Sequence, residues 1–200
     1  MNTAYNIQQH IETTPHGKPF TTAALMGYGA RAAVDQALAR LANAGKIKRL
    51  TRGVYVRPEN NRFVGEVPPE PFKVVEAIAK KTNETIQVSG AEAARQFGFS
   101  TQVSVQPVFL TTGQSRRFHM GKLEITLKHV SRKKIPFPES KVGLAILALW
   151  YLGKEQVSSQ TIGQIEKKLT PQEFEKFTSS KEYMPAWMSN AVFQHERNKE

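Results

Sequence analysis

The stretch from Ala30 to Val56 constrains the fold more tightly than any other part of the chain. In Ala30-Arg-Ala-Ala-Val-Asp-Gln-Ala-Leu-Ala-Arg-Leu-Ala-Asn43, the apolar residues Val34, Leu38 and Leu41 recur at helical spacing with Ala37 beside them. A stripe of that kind predicts an amphipathic helix with one buried face. Ala44-Gly45 ends it, glycine being suited to the backbone turn that closes a helix. Ile47-Lys-Arg-Leu50 and Val54-Tyr-Val56 follow, separated by Thr51-Arg-Gly53, and predict a short antiparallel hairpin with glycine in its turn. Upstream, Ile7 and Ile11 stand four apart and predict a short helix over Ala4–Glu12 that packs one face inward. A threonine of Phe20-Thr21-Thr22 is placed to cap a second helix, Ala23–Met26, before Gly27-Tyr-Gly29 breaks the chain.

Helix, helix, glycine turn, helix and basic hairpin is the order of a winged helix-turn-helix. The side of the third helix away from its apolar stripe carries Ala32, Gln36, Ala39 and Asn43, with Arg40 at its edge and Arg31 in the first turn. Small residues permit close approach to a groove floor, and Arg and Gln side chains can donate to base edges. Arg31, Gln36 and Arg40 are therefore the candidate groove contacts. Lys46, Lys48, Arg49 and Arg52 decorate the hairpin, where a wing meets phosphates or the minor groove. The competing reading is a helix-plus-hairpin module that docks on another protein without affinity for DNA. The position of the charge favours DNA.

That charge is unevenly distributed. The 200 residues hold 28 Lys and Arg against 17 acids, a formal net charge of +11. Residues 1–65 carry nine basic and three acidic side chains, for +6, and residues 66–115 carry −1. Residues 116–134 return to +6 with Arg116, Arg117, Lys122, Lys128, Arg132, Lys133 and Lys134 against Glu124, and residues 135–200 are neutral. Two basic blocks on a neutral remainder point to a polyanionic partner. Two readings stand for the 116–134 block: a second nucleic-acid contact, or a surface for an acidic partner or for RNA.

Whole classes of chemistry find no apparatus. There is no cysteine, which excludes disulfides, thiolate zinc sites and Cys nucleophiles. The single aspartate, Asp35, falls within the DNA-reading helix, and His10, His16, His119, His129 and His195 lack metal-ligand spacing. No phosphate-binding glycine loop or nucleophile elbow is present. His119 and His129 are placed to approach each other across a hairpin, where solvated or phosphate-facing roles suit them better than metal ligation. The expectation is a protein that is not an enzyme, with no cofactor and no metal. The most apolar run, Val142–Leu152, is too short to cross about 30 Å of hydrocarbon, and the N-terminus does not read as a signal peptide. A soluble, cytoplasmic protein with no membrane partner is expected.

Four prolines in Pro58–Pro71 read as an extended linker. The expected organisation is a winged helix over 1–62, a linker over 63–70 and an α+β domain over 71–200. In the last of these, Val74, Val75, Ile78 and Ala79 predict a helix, Ile86–Val88 a strand, and Ser89–Gly98 a capped short helix. Pro107–Thr112, Arg117–His119 and Leu123–His129 predict a small antiparallel sheet exposing the second basic block. Helices are expected over Val142–Leu152, Thr161–Leu169, Pro171–Thr178 with Thr170 as cap, and Ala186–Arg197. Leu144, Leu147, Ala148, Trp150 and Tyr151 are expected in their core, as are Phe174, Phe177, Trp187 and Phe193.

The run Ala37–Val56, above all Arg52-Gly-Val-Tyr55, resembles the winged-helix domain of AbiEi-type antitoxins of type IV toxin–antitoxin systems. The order Ser89-Gly-Ala-Glu-Ala-Ala, Val108-Phe-Leu-Thr-Thr-Gly-Gln-Ser-Arg-Arg and Leu127-Lys-His-Val-Ser-Arg-Lys-Lys is similar to the middle region of those proteins. The resemblance spans roughly residues 18–135. It implies a repressor that binds inverted repeats in the double-stranded operator of its own operon. It also implies a second domain that counteracts a nucleotidyltransferase-like toxin.

Overall fold

Asn2 opens the first helix, α1 (Thr3–Thr13), its side-chain oxygen accepting from the backbone N–H groups of Ala4 and Tyr5. The computed structural model describes residues 2–198 and divides the chain into two units. Met1–Glu84 with Arg117–Ile125 form the first, and Thr85–Arg116 with Thr126–Glu200 the second. The fold is mixed α+β, with small sheets among many helices. Among the described residues, no helix is long and apolar enough to cross a membrane.

In the first unit α1 is followed by β1 (Pro19–Thr21), a 3-10 segment Thr22–Tyr28, α2 (Arg31–Asn43), β2 (Lys48–Thr51) and β3 (Val54–Val56). The expected face of α2 is the buried one: Val34 and Leu38 are fully inaccessible, with Ala37 and Leu41 nearly so. They pack with Ile7 and Ile11 of α1, Phe20, Leu25 and Ile47. A fully buried Leu or Ile of this kind contributes about 1.5–3 kcal/mol. α2 ends in a Schellman turn, in which the N–H of Lys46 donates to the carbonyl of Leu41 and that of Gly45 to Ala42. Gly45 takes φ 69°, and the turn delivers Ile47 into the core at the start of the hairpin.

Three expectations for this region are corrected. The second helix is a 3-10 segment, and no threonine side chain caps it. Thr21 instead stands in β1 opposite Val54, and the N–H of Thr22 donates to the carbonyl of Gly53. β1 itself was not foreseen. It pairs antiparallel with β3 and gives a three-stranded sheet of order β1-β3-β2. The expected linker is replaced by an antiparallel hairpin, β4 (Glu59–Asn61) and β5 (Gly65–Val67), followed by α3 (Pro71–Thr82). The first unit thus runs past residues 63–70 to Glu84, because α3 packs on β1 and β3.

In the second unit, β6 (Ile86–Val88) leads into α4 (Gly90–Gln96), where Ser89 Oγ accepts from the N–H of Glu92. A hydrogen bond from Arg95 holds the Glu92 carboxyl below its usual range. β7 (Val108–Thr111), β8 (Arg116–Met120) and β9 (Leu123–His129) complete a sheet of order β6-β7-β9-β8, of which the segment Arg117–Ile125 groups with the first unit. This sheet is mixed rather than antiparallel. β7 pairs antiparallel with β6 but parallel with β9, from Val108 opposite Thr126 to Thr111 opposite His129. The chain steps from β7 out to β8 and returns through the two-residue turn Gly121-Lys122, so β9 arrives between them running with β7.

Four helices follow: α5 (Lys141–Leu152), α6 (Ser159–Glu166), α7 (Pro171–Ser179) and α8 (Ala186–Arg197). Thr170 caps α7 as expected, in a capping box with Glu173. α5 is apolar nearly all round and accordingly central, with Ala145, Ile146, Ala148 and Leu149 fully buried among Ile162, Ile165, Phe177, Met188 and Val192. The expected core was too generous at the helix ends. Trp150, Tyr151 and Phe193 are exposed, while Leu144, Phe174 and Trp187 are half-buried. His119 and His129 do not form a pair: His129 Nδ1 lies 2.8 Å from the Gly113 carbonyl, and His119 lies by Glu124.

Candidate nucleic-acid interface

The outward face of α2 follows from its inward one. With Val34, Ala37, Leu38 and Leu41 turned to the core, Ala32, Gln36, Ala39 and Asn43 stand exposed, and Arg40 flanks them. Alanines leave this face low, so a planar surface can approach the helix backbone. Gln36 is the one long neutral side chain there able both to donate and to accept hydrogen bonds.

All seven predicted contacts, Arg31, Gln36, Arg40, Lys46, Lys48, Arg49 and Arg52, are exposed. They differ in how free their charges are. Arg31 Nε donates to Asp35 Oδ2 at 2.7 Å, one helical turn away on the same exposed side. Lys48 Nζ donates to Glu66 Oε1 at 2.7 Å, which ties the edge strand β2 to β5. Exposed pairs of this sort are worth at most about 1 kcal/mol and exchange readily for a phosphate. Arg49 Nε reaches the Thr51 carbonyl at 3.3 Å across the bulge that shifts the β2–β3 register. Arg52 sits in the turn beside Gly53, whose φ of 73° closes the hairpin. Not every cation serves a surface. Arg57, half-buried, donates through Nη1 to the carbonyls of Glu12 and Thr14 and closes the C-terminus of α1.

Asp35 is the one acidic side chain of α2 and stands among these cations. Asp35→Asn frees Arg31 and removes a carboxylate from the surface. Affinity for duplex DNA is expected to rise about three- to tenfold at low salt, with the gain shrinking as salt screens it, as read by fluorescence anisotropy.

The 116–134 block is not one feature. Arg117 and Lys122 group with the first unit, and Arg116, Lys128, Arg132, Lys133 and Lys134 with the second. Arg116 is half-buried and donates to the Gln114 carbonyl at 3.1 Å, while Arg117 lies 3.8 Å from Glu124. Lys134 Nζ stands over the exposed Trp150 ring at 5.9 Å. Lys122, Lys128, Arg132 and Lys133 are exposed.

A surface feature that the sequence reading missed is the β4–β5 turn, Arg62-Phe63-Val64. Phe63 and Val64 there are 78% and 74% exposed. The signal was present as Asn61 and Gly65 bracketing three residues, a pattern of three-residue hairpins, but the surrounding prolines masked it.

No curated protein matches the chain. A model of a family of unknown function (DUF6088) matches residues 6–177, which take in all of β1 to α6, and the chain belongs to that family.

Proposed function

We propose that this protein binds duplex DNA through a winged helix formed by its first unit, with α2 in the major groove and the β2–β3 hairpin as the wing. The observation that carries the reading is the outward face of α2, low and uncharged along Ala32, Gln36, Ala39 and Asn43, flanked by the exposed cations Arg40, Lys46, Arg49 and Arg52. Helix, strand, helical segment, helix and hairpin, with a strand order of β1-β3-β2, is the connectivity a winged helix requires. In this arrangement the cations fix position on the backbone and Gln36 reads base edges.

The two roles separate by experiment. Arg52→Ala is expected to weaken binding to every duplex alike and to lower the log–log salt slope by about 0.9, the share of one phosphate contact. Gln36→Ala is expected to leave that slope intact while reducing the preference for one sequence, with a loss of about 1–3 kcal/mol confined to the preferred duplex. Titrations at several salt concentrations measure both. Wild-type affinity and preference in both variants would remove α2 and the hairpin from the interface.

The regulatory part of the proposal is repression of the protein's own operon and opposition to a nucleotidyltransferase-like toxin. It rests on the resemblance to AbiEi-type antitoxins and assigns the second role to the second unit.

A further inference from the structure

The β4–β5 hairpin is built to hold its tip outward. Asn61 pairs with Gly65, and only Arg62, Phe63 and Val64 intervene. The N–H of Phe63 donates to Asn61 Oδ1 at 2.8 Å, an Asx turn that rigidifies the loop, and Gly65 at φ 74° completes it. Its base is fastened to the rest of the unit. The N–H of Gly17 donates to the Arg57 carbonyl, His16 Nδ1 lies 2.6 Å from the Pro58 carbonyl, and Glu66 takes the ion pair from Lys48 on β2.

A rigid turn does not need a phenylalanine in water. Phe63 and Val64 are exposed together, and the Arg62 guanidinium lies 4.4 Å from the centre of the Phe63 ring. The tip therefore offers an apolar blade carrying a cation, on a unit whose residues 1–65 have a net charge of +6. An acidic, grooved, stackable surface complements both features. A neutral protein groove would leave the arginine without a counterpart.

We infer that this hairpin is a second wing, which inserts Phe63 at a base step of duplex DNA while Arg62 contacts the flanking phosphate. The inference rests on the DNA-binding reading of the first unit and extends its footprint beyond the β2–β3 hairpin. Apolar wedges of this size partly unstack the step they enter and kink the helix, most readily at flexible pyrimidine–purine steps. The second wing would therefore add sequence preference without any base-edge hydrogen bond.

The test uses the full chain and duplexes of the DNA upstream of its own gene, with 2-aminopurine placed at successive positions. Wild-type protein is expected to brighten the probe at one or two adjacent positions and nowhere else. Phe63→Ser, at an exposed site that leaves the melting temperature unchanged, is expected to abolish the brightening and to weaken binding by about tenfold or more. Phe63→Trp is expected to keep both. If the wild type binds with strong salt dependence, no probe brightens and Phe63→Ser binds equally well, the second wing is wrong and the α2 reading stands. If the wild type binds no duplex at all, both readings fall. RNA hairpins bound more tightly than any duplex, with Phe63 required, would likewise overturn the assignment to DNA.

Discussion

Ala39→Glu is expected to abolish sequence-preferring DNA binding while leaving the protein folded. Ala39 stands at the middle of the outward face of α2, one turn from both Asp35 and Asn43. Glutamate is nearly as good a helix former as alanine, and at this exposed site the only local cost is repulsion from Asp35 one turn away, a few tenths of a kcal/mol. The folded state should lose no more than about 0.5 kcal/mol. In the complex the same side chain sets bulk and a negative charge against the groove, where juxtaposed like charges cost several kcal/mol. A loss of about a hundredfold or more, roughly 3 kcal/mol, follows in anisotropy titrations. A variant that melts like the wild type and still binds like it would show that α2 faces away from the DNA.

Gly143→Ala carries the largest expected effect on stability, and its sign opposes intuition. Alanine is favoured over glycine inside a helix by about 1 kcal/mol. At this position, in the first turn of α5, a Cβ would run into the backbone carbonyls of Pro136 and Phe137. Backbone cannot swing aside as a side chain does. The loop that supplies those carbonyls is already constrained, with Phe137 at φ 48° and Glu139 at φ 64°. The N–H of Gly143 is also committed to the Ser140 cap at 3.1 Å. Net destabilisation of about 3 kcal/mol is expected, lowering the unfolding transition by roughly 10 °C in a calorimetric scan. An unchanged or raised transition would mean that the 136–139 loop does not pack on the start of α5.

These two positions mark what was legible in the sequence. The faces of α2 were readable because a 3.6-residue period assigns every position of a single helix at once, and Ala39 falls outside the stripe of Val34, Leu38 and Leu41. The clash at Gly143 was not readable, because it depends on where a left-handed loop places two carbonyls. β1 escaped notice for a related reason: Pro19-Phe20-Thr21 is too short to show alternation and becomes a strand only by pairing with β3. The β4–β5 hairpin is exposed along most of its length, so it has no alternating pattern, and its flanking prolines mimic a linker. The parallel pairing of β7 with β9 is a matter of connectivity that no local run encodes. For the candidate interface, residue type gave the seven exposed side chains. Of their partners, Asp35 beside Arg31 is within reach of an i,i+4 reading, whereas Glu66 opposite Lys48, 18 residues on, depends on the fold.

The most direct test of the central claim is an anisotropy titration of the full protein against the DNA upstream of its own gene and a shuffled duplex of equal length, at two salt concentrations. At least about tenfold preference for the native duplex, retained at higher salt, is expected. Affinity for both should fall steeply, since each neutralised phosphate adds about 0.9 to the slope. Equal and weak binding to the two duplexes would contradict it, leaving the basic face of the first unit as a non-specific footprint and α2 as a surface for another protein.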